Sequence, residues 1–378
     1  MNISLTTEQQ IAHDHIIDWV NSPKNRLLTI GGLAGTGKTT LLGEVARTIK
    51  RSAKRLALCT ASGKASTILK SKLMNILDPE DYCGTIHGLI YLLVGKEQLK
   101  NGRTELYFSG KEDELKSKYD LIIIDESSMV NEWMFNDLAS HGLPILAIGD
   151  HGQLPPVKGS FNLMESPDIK LETIMRQAEN NPIIRMAQMA RLDGIIKYGD
   201  YGSGCIKTSD SRFLHAHKYN DKNSIILCAL NKTRVRMNSF AREKLGINGL
   251  DPIINEPVIC LYNNKKKGVF NGSIGYIKEI EKTPYDYYQT RIDMGELIFE
   301  GDIDAQQFGK EYTNIDDESD LDYFDWAYCI TTHKSQGSEW NNVLVIEEGS
   351  FLFKDDMWNR WLYTAVTRAK ERLVIYKK

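Results

Sequence analysis

The chain is poor in the features that would set it outside the ordinary globular class. No apolar run among its 378 residues reaches the ~20 needed to cross a bilayer, which excludes a helical membrane anchor from this sequence. The first ten residues show neither the basic start nor the apolar centre of a secretory signal, so a cytoplasmic protein is expected. The six cysteines (Cys59, Cys83, Cys205, Cys228, Cys260 and Cys329) have no paired spacing. That argues against a zinc site or a disulfide framework and leaves them as small buried hydrophobes in a reducing compartment. Positive charge is not in excess: the formal net charge is −3, so any nucleic-acid surface must be local. The acidic run over 315–322 reads as a solvated loop. Repeats of solenoid period and low-complexity linkers are also missing.

What remains is a composition 42% hydrophobic and 26% charged, in a chain long enough for two or three domains. Its sharpest feature follows an apolar stretch at 26–30. Gly32, Gly37, Lys38 and Thr39 fit G-x-x-x-x-G-K-[ST], with Gly35, Thr36 and Thr40 inside or beside the loop. Glycines let backbone N–H groups face phosphate oxygens where side chains would block the approach. Lys38 supplies a point charge for the β- and γ-phosphates and Thr39 a hydroxyl for Mg²⁺. The helix expected from Thr40 to about residue 49 supplies its positive end. This is a nucleoside triphosphate site, and ATP with Mg²⁺ is the expected cofactor pair.

A second apolar stretch delivers Asp125 and Glu126 at a strand end, where doubly wound sheets place ligands. Triphosphate hydrolysis needs one carboxylate for the metal and one to polarise the attacking water, so Asp125 is assigned to Mg²⁺ and Glu126 to general base. Asp150 and Gln153 end another such stretch, and Gln153 is placed to sense the γ-phosphate ahead of the rigid Pro155 and Pro156 turn. Arg176 and Arg368 lie far from the loop in sequence. Either would stabilise charge on a phosphoryl group in transfer, although most arginines are surface charges.

Strand-like stretches at 26–30, 55–61, 121–125 and 144–150 alternate with helical ones, which predicts a parallel sheet with helices on both faces. A second set occurs at 224–230, 327–332, 342–347 and 372–376. From 252 to 325 short β-rich runs at 257–262, 273–280 and 287–293 are broken by turn signals and a lysine cluster, the texture of a small inserted β-barrel. Another insertion, 89–118, carries Asn101-Gly102 between two strand-like flanks and predicts a hairpin.

In this order the pieces resemble superfamily 1 helicases, and within them the 1B branch of RecD-like and Dda-like DNA helicases. The resemblance spans nearly the whole chain. Residues 5–9 are similar to the Q motif, which implies that Gln9 reads adenine. The loop at 32–39 is motif I, 60–65 resembles motif Ia, Asp125 and Glu126 are motif II, and 149–157 is motif III. Arg176 with Gln177 resembles motif IV, 332–339 motif V, and 363–369 motif VI, so both arginines become candidate fingers. Gly337 and Glu339 of motif V join the nucleotide-binding set. The fold so implied is α/β, with two RecA-like domains: the first over 1–160 with a pin-like insertion at 89–118, the second over 161–251 and 326–378. An SH3-like insertion would occupy 252–325, where Asn271 to Gly275 also matches the branch.

The resemblance further implies contacts to single-stranded DNA from Thr60, Ser62, Lys64 and His87 in the first domain. Asn231, Lys232, Thr233, Thr332 and His333 would supply them in the second. It implies 5′→3′ travel by a monomeric motor on single strands and duplex junctions, with a modest wedge in the hairpin, where Tyr107 or Phe108 would meet the last base pair; Phe108 is the assigned strand-separating residue. A translocase that strips proteins without parting strands would carry the same motor residues. A nucleic-acid-binding module switched by ATP is a rival of another class, and an RNA motor a third reading. The paired carboxylates argue against the switch.

Overall fold

The strands predicted in the first half are apolar in succession rather than in alternation, which marks strands covered on both faces. The computed structural model describes residues 5–98, 104–110, 114–156, 161–175, 180–264, 267–295, 297–313, 315, 319–349, 353 and 356–378. It divides into two compact units, Met1–Ile184 and Arg185–Lys378.

The first unit runs α1 (Thr7–Asn21), β1 (Leu27–Gly32), α2 (Lys38–Arg51), β2 (Leu56–Thr60), α3 (Gly63–Leu73), β3 (Tyr82–Thr85) and α4 (Ile86–Ile90). It continues with β4 (Tyr91–Gln98), β5 (Thr104–Gly110), α5 (Glu114–Lys118), β6 (Leu121–Asp125), α6 (Glu132–Ser140), β7 (Ile145–Gly149) and β8 (Ile169–Leu171). Six strands form one parallel sheet in the order β3-β2-β6-β7-β1-β8. One face packs Ile16, Leu41, Val45 and Leu69 from α1, α2 and α3 against the sheet, and the other packs Ile86, Met134 and Leu138 from α4 and α6. Helix α1 starts on a capping box: Thr6 Oγ1 accepts from Gln9 N and Gln9 Oε1 accepts from Thr6 N.

The first unit runs past the expected boundary at residue 160 to Ile184, and β8 pairs with β1 through Ile30↔Ile169 in the first sheet. The hairpin is present as antiparallel β4 and β5, with Leu93 opposite Phe108. Its Asn101-Gly102 turn lies outside the described residues.

The second unit begins inside α7 (Pro182–Asp193) and continues through β9 (Gly199–Gly202), β10 (Cys205–Thr208), α8 (Arg212–His215), β11 (Ser224–Cys228) and α9 (Asn231–Lys244). Next come β12 (Pro257–Cys260), β13 (Ile274–Lys282), β14 (Tyr287–Asp293), β15 (Ile298–Asp304) and β16 (Phe324–Trp326). The chain ends with β17 (Cys329–Thr331), β18 (Trp340–Ile346), α10 (Met357–Val366) and β19 (Ala369–Tyr376). Its main sheet has the order β17-β11-β18-β19-β10-β9, parallel except at β9. The expected β insertion is an antiparallel sheet, β15-β14-β13-β12-β16, which a bridge between Ile303 and Asp322 curls back on itself.

Helix α9 fastens this insertion to the main sheet with polar groups. Asn238 Nδ2 donates to Trp326 O (3.1 Å) and Cys329 O (3.0 Å), and its Oδ1 accepts from Cys329 N (2.8 Å). Arg234 pairs with buried Asp325, and Arg242 donates to Glu256 (2.7 Å) beneath the Trp326 ring (4.2 Å). Replacing a buried partner leaves the others desolvated and unpaired, at about 1–3 kcal/mol each. Asn238→Ala strands three backbone groups, so urea unfolding of the variant should show a loss of at least about 2 kcal/mol.

Candidate active site

The C-terminal ends of β1, β6 and β7 are neighbours in the first sheet, so the loops that leave them share one edge. From β1 comes the glycine loop. Gly35 and Gly37 have φ of 83° and 76°, the left-handed region that glycine alone enters at no steric cost. A Cβ at Gly32 would lie 2.6 Å from Lys38 Cγ, and one at Gly37 would be 2.6 Å from Met175 Sδ and closer still to Gln9 Nε2. Thr36 is buried and donates to Leu33 O (2.8 Å), while Thr39 and Thr40 are half-buried in the first turn of α2. Lys38 Nζ curls back to donate to Gly32 O (2.6 Å) and Leu33 O (3.1 Å), and lies 3.6 Å from Asp150 Oδ2.

From β6 come Asp125 and Glu126. Burial pushes the Asp125 carboxyl above the usual range, against the backbone N–H of Glu126 and the charges of Lys38 and Lys72. Glu126 sits at φ 53°, a left-handed conformation rare for a residue with a side chain. Asp150 follows β7. Its Oδ1 accepts from Gly152 N (2.9 Å) and its Oδ2 from Gln153 Nε2 (3.3 Å). One buried carboxylate thus joins the loop lysine to the glutamine of motif III.

Gln9 is 1% exposed, and its Nε2 donates to Thr36 O (2.8 Å) and more weakly to Gly37 O (3.4 Å). With Oε1 in the capping box, the amide braces the glycine loop from behind. Glu8 escaped the sequence reading: its Oε1 and Oε2 accept from Glu172 N (3.1 Å) and Thr173 N (2.9 Å). Met175 N donates in turn to Gly35 O (2.9 Å), so one helix start ties the loop to the strand exit at 172–175. The available signal was the acidic side chain beside Gln9 in the first turn. Arg176 lies outside the described residues.

In the second unit Arg368 is 3% exposed, and its described partners are neutral oxygens: Thr364 O (3.1 Å), Ser338 O (3.1 Å) and Thr367 Oγ1 (3.2 Å). Gly337 (φ 69°) turns the motif V loop past this guanidinium, and exposed Glu339 pairs with Lys370 (3.3 Å).

The expected DNA contacts separate into two groups. Thr60 and Thr332 are fully buried, donating to Ser62 O (2.7 Å) and Cys228 O (3.3 Å), so they shape their loops rather than face a strand. Thr233 is also buried, in the first turn of α9. Ser62 caps α3 by accepting from Ala65 N (3.3 Å); Lys64 is in α3, though its side chain is not among those described, and the same holds for Phe108 in β5. His87 is half-buried in α4, Asn231 half-buried and Lys232 exposed at the start of α9. His333 is half-buried, and burial lowers its pKa.

No group of three or more His, Cys, Asp or Glu side chains among the described residues is arranged to hold a metal ion alone. No helix among them is long and apolar enough to cross a membrane.

Residues 4–215 match the family model of an AAA domain, and residues 326–376 match that of a UvrD-like helicase C-terminal domain. The ATP-dependent RecD2 DNA helicase of Deinococcus radiodurans is 28% identical over 92% of this chain and 46% of its own length. The RecBCD enzyme subunit RecD of Buchnera aphidicola is 24% identical over 93% of this chain and 70% of its own. The chain therefore spans under half the length of the Deinococcus relative. Among solved structures, a Pif1 helicase studied at forked duplex DNA gives a TM-score of 0.58 at 22% identity, covering 99% of this chain and 92% of that one. Bacteroides Pif1 with ADP-AlF3 and single-stranded DNA gives 0.56 at 21%, with the same coverage. These likenesses match the fold of both units, including parallel core sheets with added β elements.

Gly37→Ala should abolish nucleotide binding, since the new methyl meets Gln9 and Met175 at a left-handed φ. Titration with a fluorescent ATP analogue checks this, with circular dichroism to confirm folding.

Proposed function

We propose, for a chain that belongs to the AAA-domain family and within it to the RecD/Pif1-like superfamily 1 helicases, that ATP hydrolysis drives it along single-stranded DNA and parts duplexes. The observation that carries this is the joining of Lys38, Asp150 and Gln153 at the edge where Asp125 and Glu126 also end their strand. A nucleotide-binding switch needs the loop; a motor also needs a route from the phosphate to another loop.

ATP would enter a loop whose glycines leave the backbone open to its phosphates. Lys38 would then exchange its two carbonyl partners for β- and γ-phosphate oxygens, a stronger, charge-assisted set. That exchange alters the ion pair with Asp150 and, through it, Gln153. Glu126 is the proposed base that orients the attacking water. Thr39 and Asp125 would hold a hard cation, offering a hydroxyl and a carboxylate. Mg²⁺ bound there would supply neutralisation of phosphate charge. Gln9 keeps its proposed link to the adenine side through the loop it braces, and Gly337 and Glu339 their place in the nucleotide set. Arg176 and Arg368 are the proposed fingers. The guanidinium of Arg368 supports this reading, because no carboxylate among its described partners neutralises it.

Single-strand contacts are proposed for Ser62, Lys64 and His87, and for Asn231, Lys232 and His333. The proposed polarity is 5′→3′, with Phe108 on β5 as the wedge and the monomer as the working unit. Two experiments test the reading. Lys38→Ala and Glu126→Gln should each reduce DNA-stimulated ATP turnover by at least about 10³-fold while the protein stays folded, and retained turnover would remove the assigned site. Wild-type protein should unwind forked and 5′-tailed duplexes with ATP and Mg²⁺ and leave 3′-tailed ones intact; the reverse preference would overturn the polarity. Phe108→Ala should lower unwinding more than translocation on single strands.

A further inference from the structure

We propose that Trp133 is a base-stacking platform for single-stranded DNA on the first unit, a role that rests on the motor reading above and adds a contact to it. Of the six tryptophans, only Trp133 is exposed, at 49%; the four in the second unit, Trp326, Trp340, Trp358 and Trp361, are buried. It stands in the first turn of α6, which Asn131 caps by accepting from Met134 N (3.0 Å). The core side of that helix is supplied by Met134 and Leu138, so the fold does not need the indole for packing. An indole left in water on a helix that is otherwise satisfied invites a ligand with an apolar face.

Its neighbourhood says which ligand. The Trp133 ring meets the His87 ring edge-on, with centroids 5.4 Å apart and planes at 62°, an arrangement that fixes the indole without covering both faces. His87 is the second residue of α4, which follows β3 directly, and its turn is locked by Tyr82 OH donating to Thr85 O (2.8 Å) and Gly88 N donating to Thr85 Oγ1 (3.1 Å). Strand order puts β3 and β2 at the opposite side of the sheet from β1. At about 4.8 Å per strand, the ends of β1 and β3 are roughly 19 Å apart, so this corner is separate from the phosphate loop. Helix α3 packs over the same edge strand β3 from the opposite face of the sheet. An exposed aromatic ring on which a base can stack, with phosphates held elsewhere on the unit, is one component of a sequence-independent single-strand site. The exposed acids Glu132 and Asp137 flank the indole on α6, which disfavours phosphate there and leaves the ring for a base.

The test measures dissociation constants by fluorescence anisotropy for a labelled oligothymidylate and for an abasic strand of equal length, across a salt series. Trp133→Ala should weaken oligothymidylate binding about 5- to 100-fold, the range of one base–aromatic stack. It should leave abasic binding and the salt slope unchanged, because no phosphate contact is lost. Trp133→Phe should recover most of the affinity, and the melting temperature of all variants should match wild type. Equal affinity of wild type and Trp133→Ala for oligothymidylate would overturn the proposal, as would an equal loss on the abasic strand. If wild-type protein bound neither strand, the single-strand reading itself would fail, and this inference with it.

Discussion

The ammonium of Lys38 is the point through which the first unit's chemistry is connected. It holds two carbonyls of its own loop and lies within ion-pair distance of a carboxylate that is 1% exposed. Burying a carboxylate is costly unless it is hydrogen-bonded or paired, and Asp150 has partners of both kinds in Gly152, Gln153 and Lys38. Drawing the lysine toward phosphate oxygens therefore cannot leave Asp150 and the loop after β7 unaffected. The coupling needs no long pathway, since three side chains in sequence carry it. Its physical basis is that a low-dielectric carboxylate responds strongly to the loss or movement of a neighbouring cation.

Behind the same loop, α1 performs a mechanical task. Gln9 holds Thr36 O, Glu8 holds the N–H groups of Glu172 and Thr173, and Met175 N closes the ring onto Gly35 O. Loop and strand exit are thereby one body, set by two adjacent residues of a capped first turn. In the second unit α9 is the counterpart. Its buried face sets Arg234, Asn238 and Arg242 beside Met237 and Ala241, so directional bonds are added to the apolar packing that joins an inserted sheet to the main one. Hydrophobic contact alone would permit sliding between the two sheets; hydrogen bonds to named carbonyls fix one register.

The parallel strands of the first unit were legible because both-face burial writes itself as uninterrupted apolar residues, as in Leu121–Asp125. The phosphate loop was legible because its glycines answer to a steric demand that no other residue meets. Strand β8 was not, since three residues with alternating exposure carry too little pattern, and the domain boundary moved with it. Helix α9 reads as surface throughout, because buried arginine and asparagine look identical in sequence to solvated ones until their partners are known. The same limit holds for Thr60 and Thr332: a motif threonine marks the loop but does not say which way its hydroxyl turns, and here both donate to backbone oxygens of their own surroundings. Trp133 was passed over for the converse reason, since an aromatic next to Met134 resembles core until α6 shows which side faces the sheet.

Two features of the fold are costly without a ligand, and both lie at residues assigned to phosphate chemistry. Glu126 is held at φ 53°, a conformation that costs on the order of 1–3 kcal/mol and persists only where the surroundings enforce it. Here the enforcing surroundings are β6 on one side and the 3₁₀ turn Ser127–Met129, with buried Ser127 and Ser128, on the other. Arg368 keeps a guanidinium in the interior with only neutral oxygens around it among its described partners, an arrangement that leaves desolvation of the cation incompletely offset. A developing negative charge would relieve the second cost. The first fixes the backbone from which the proposed base projects. Were Glu126 to act in that role, part of its positioning would have been completed during folding rather than at the transition state.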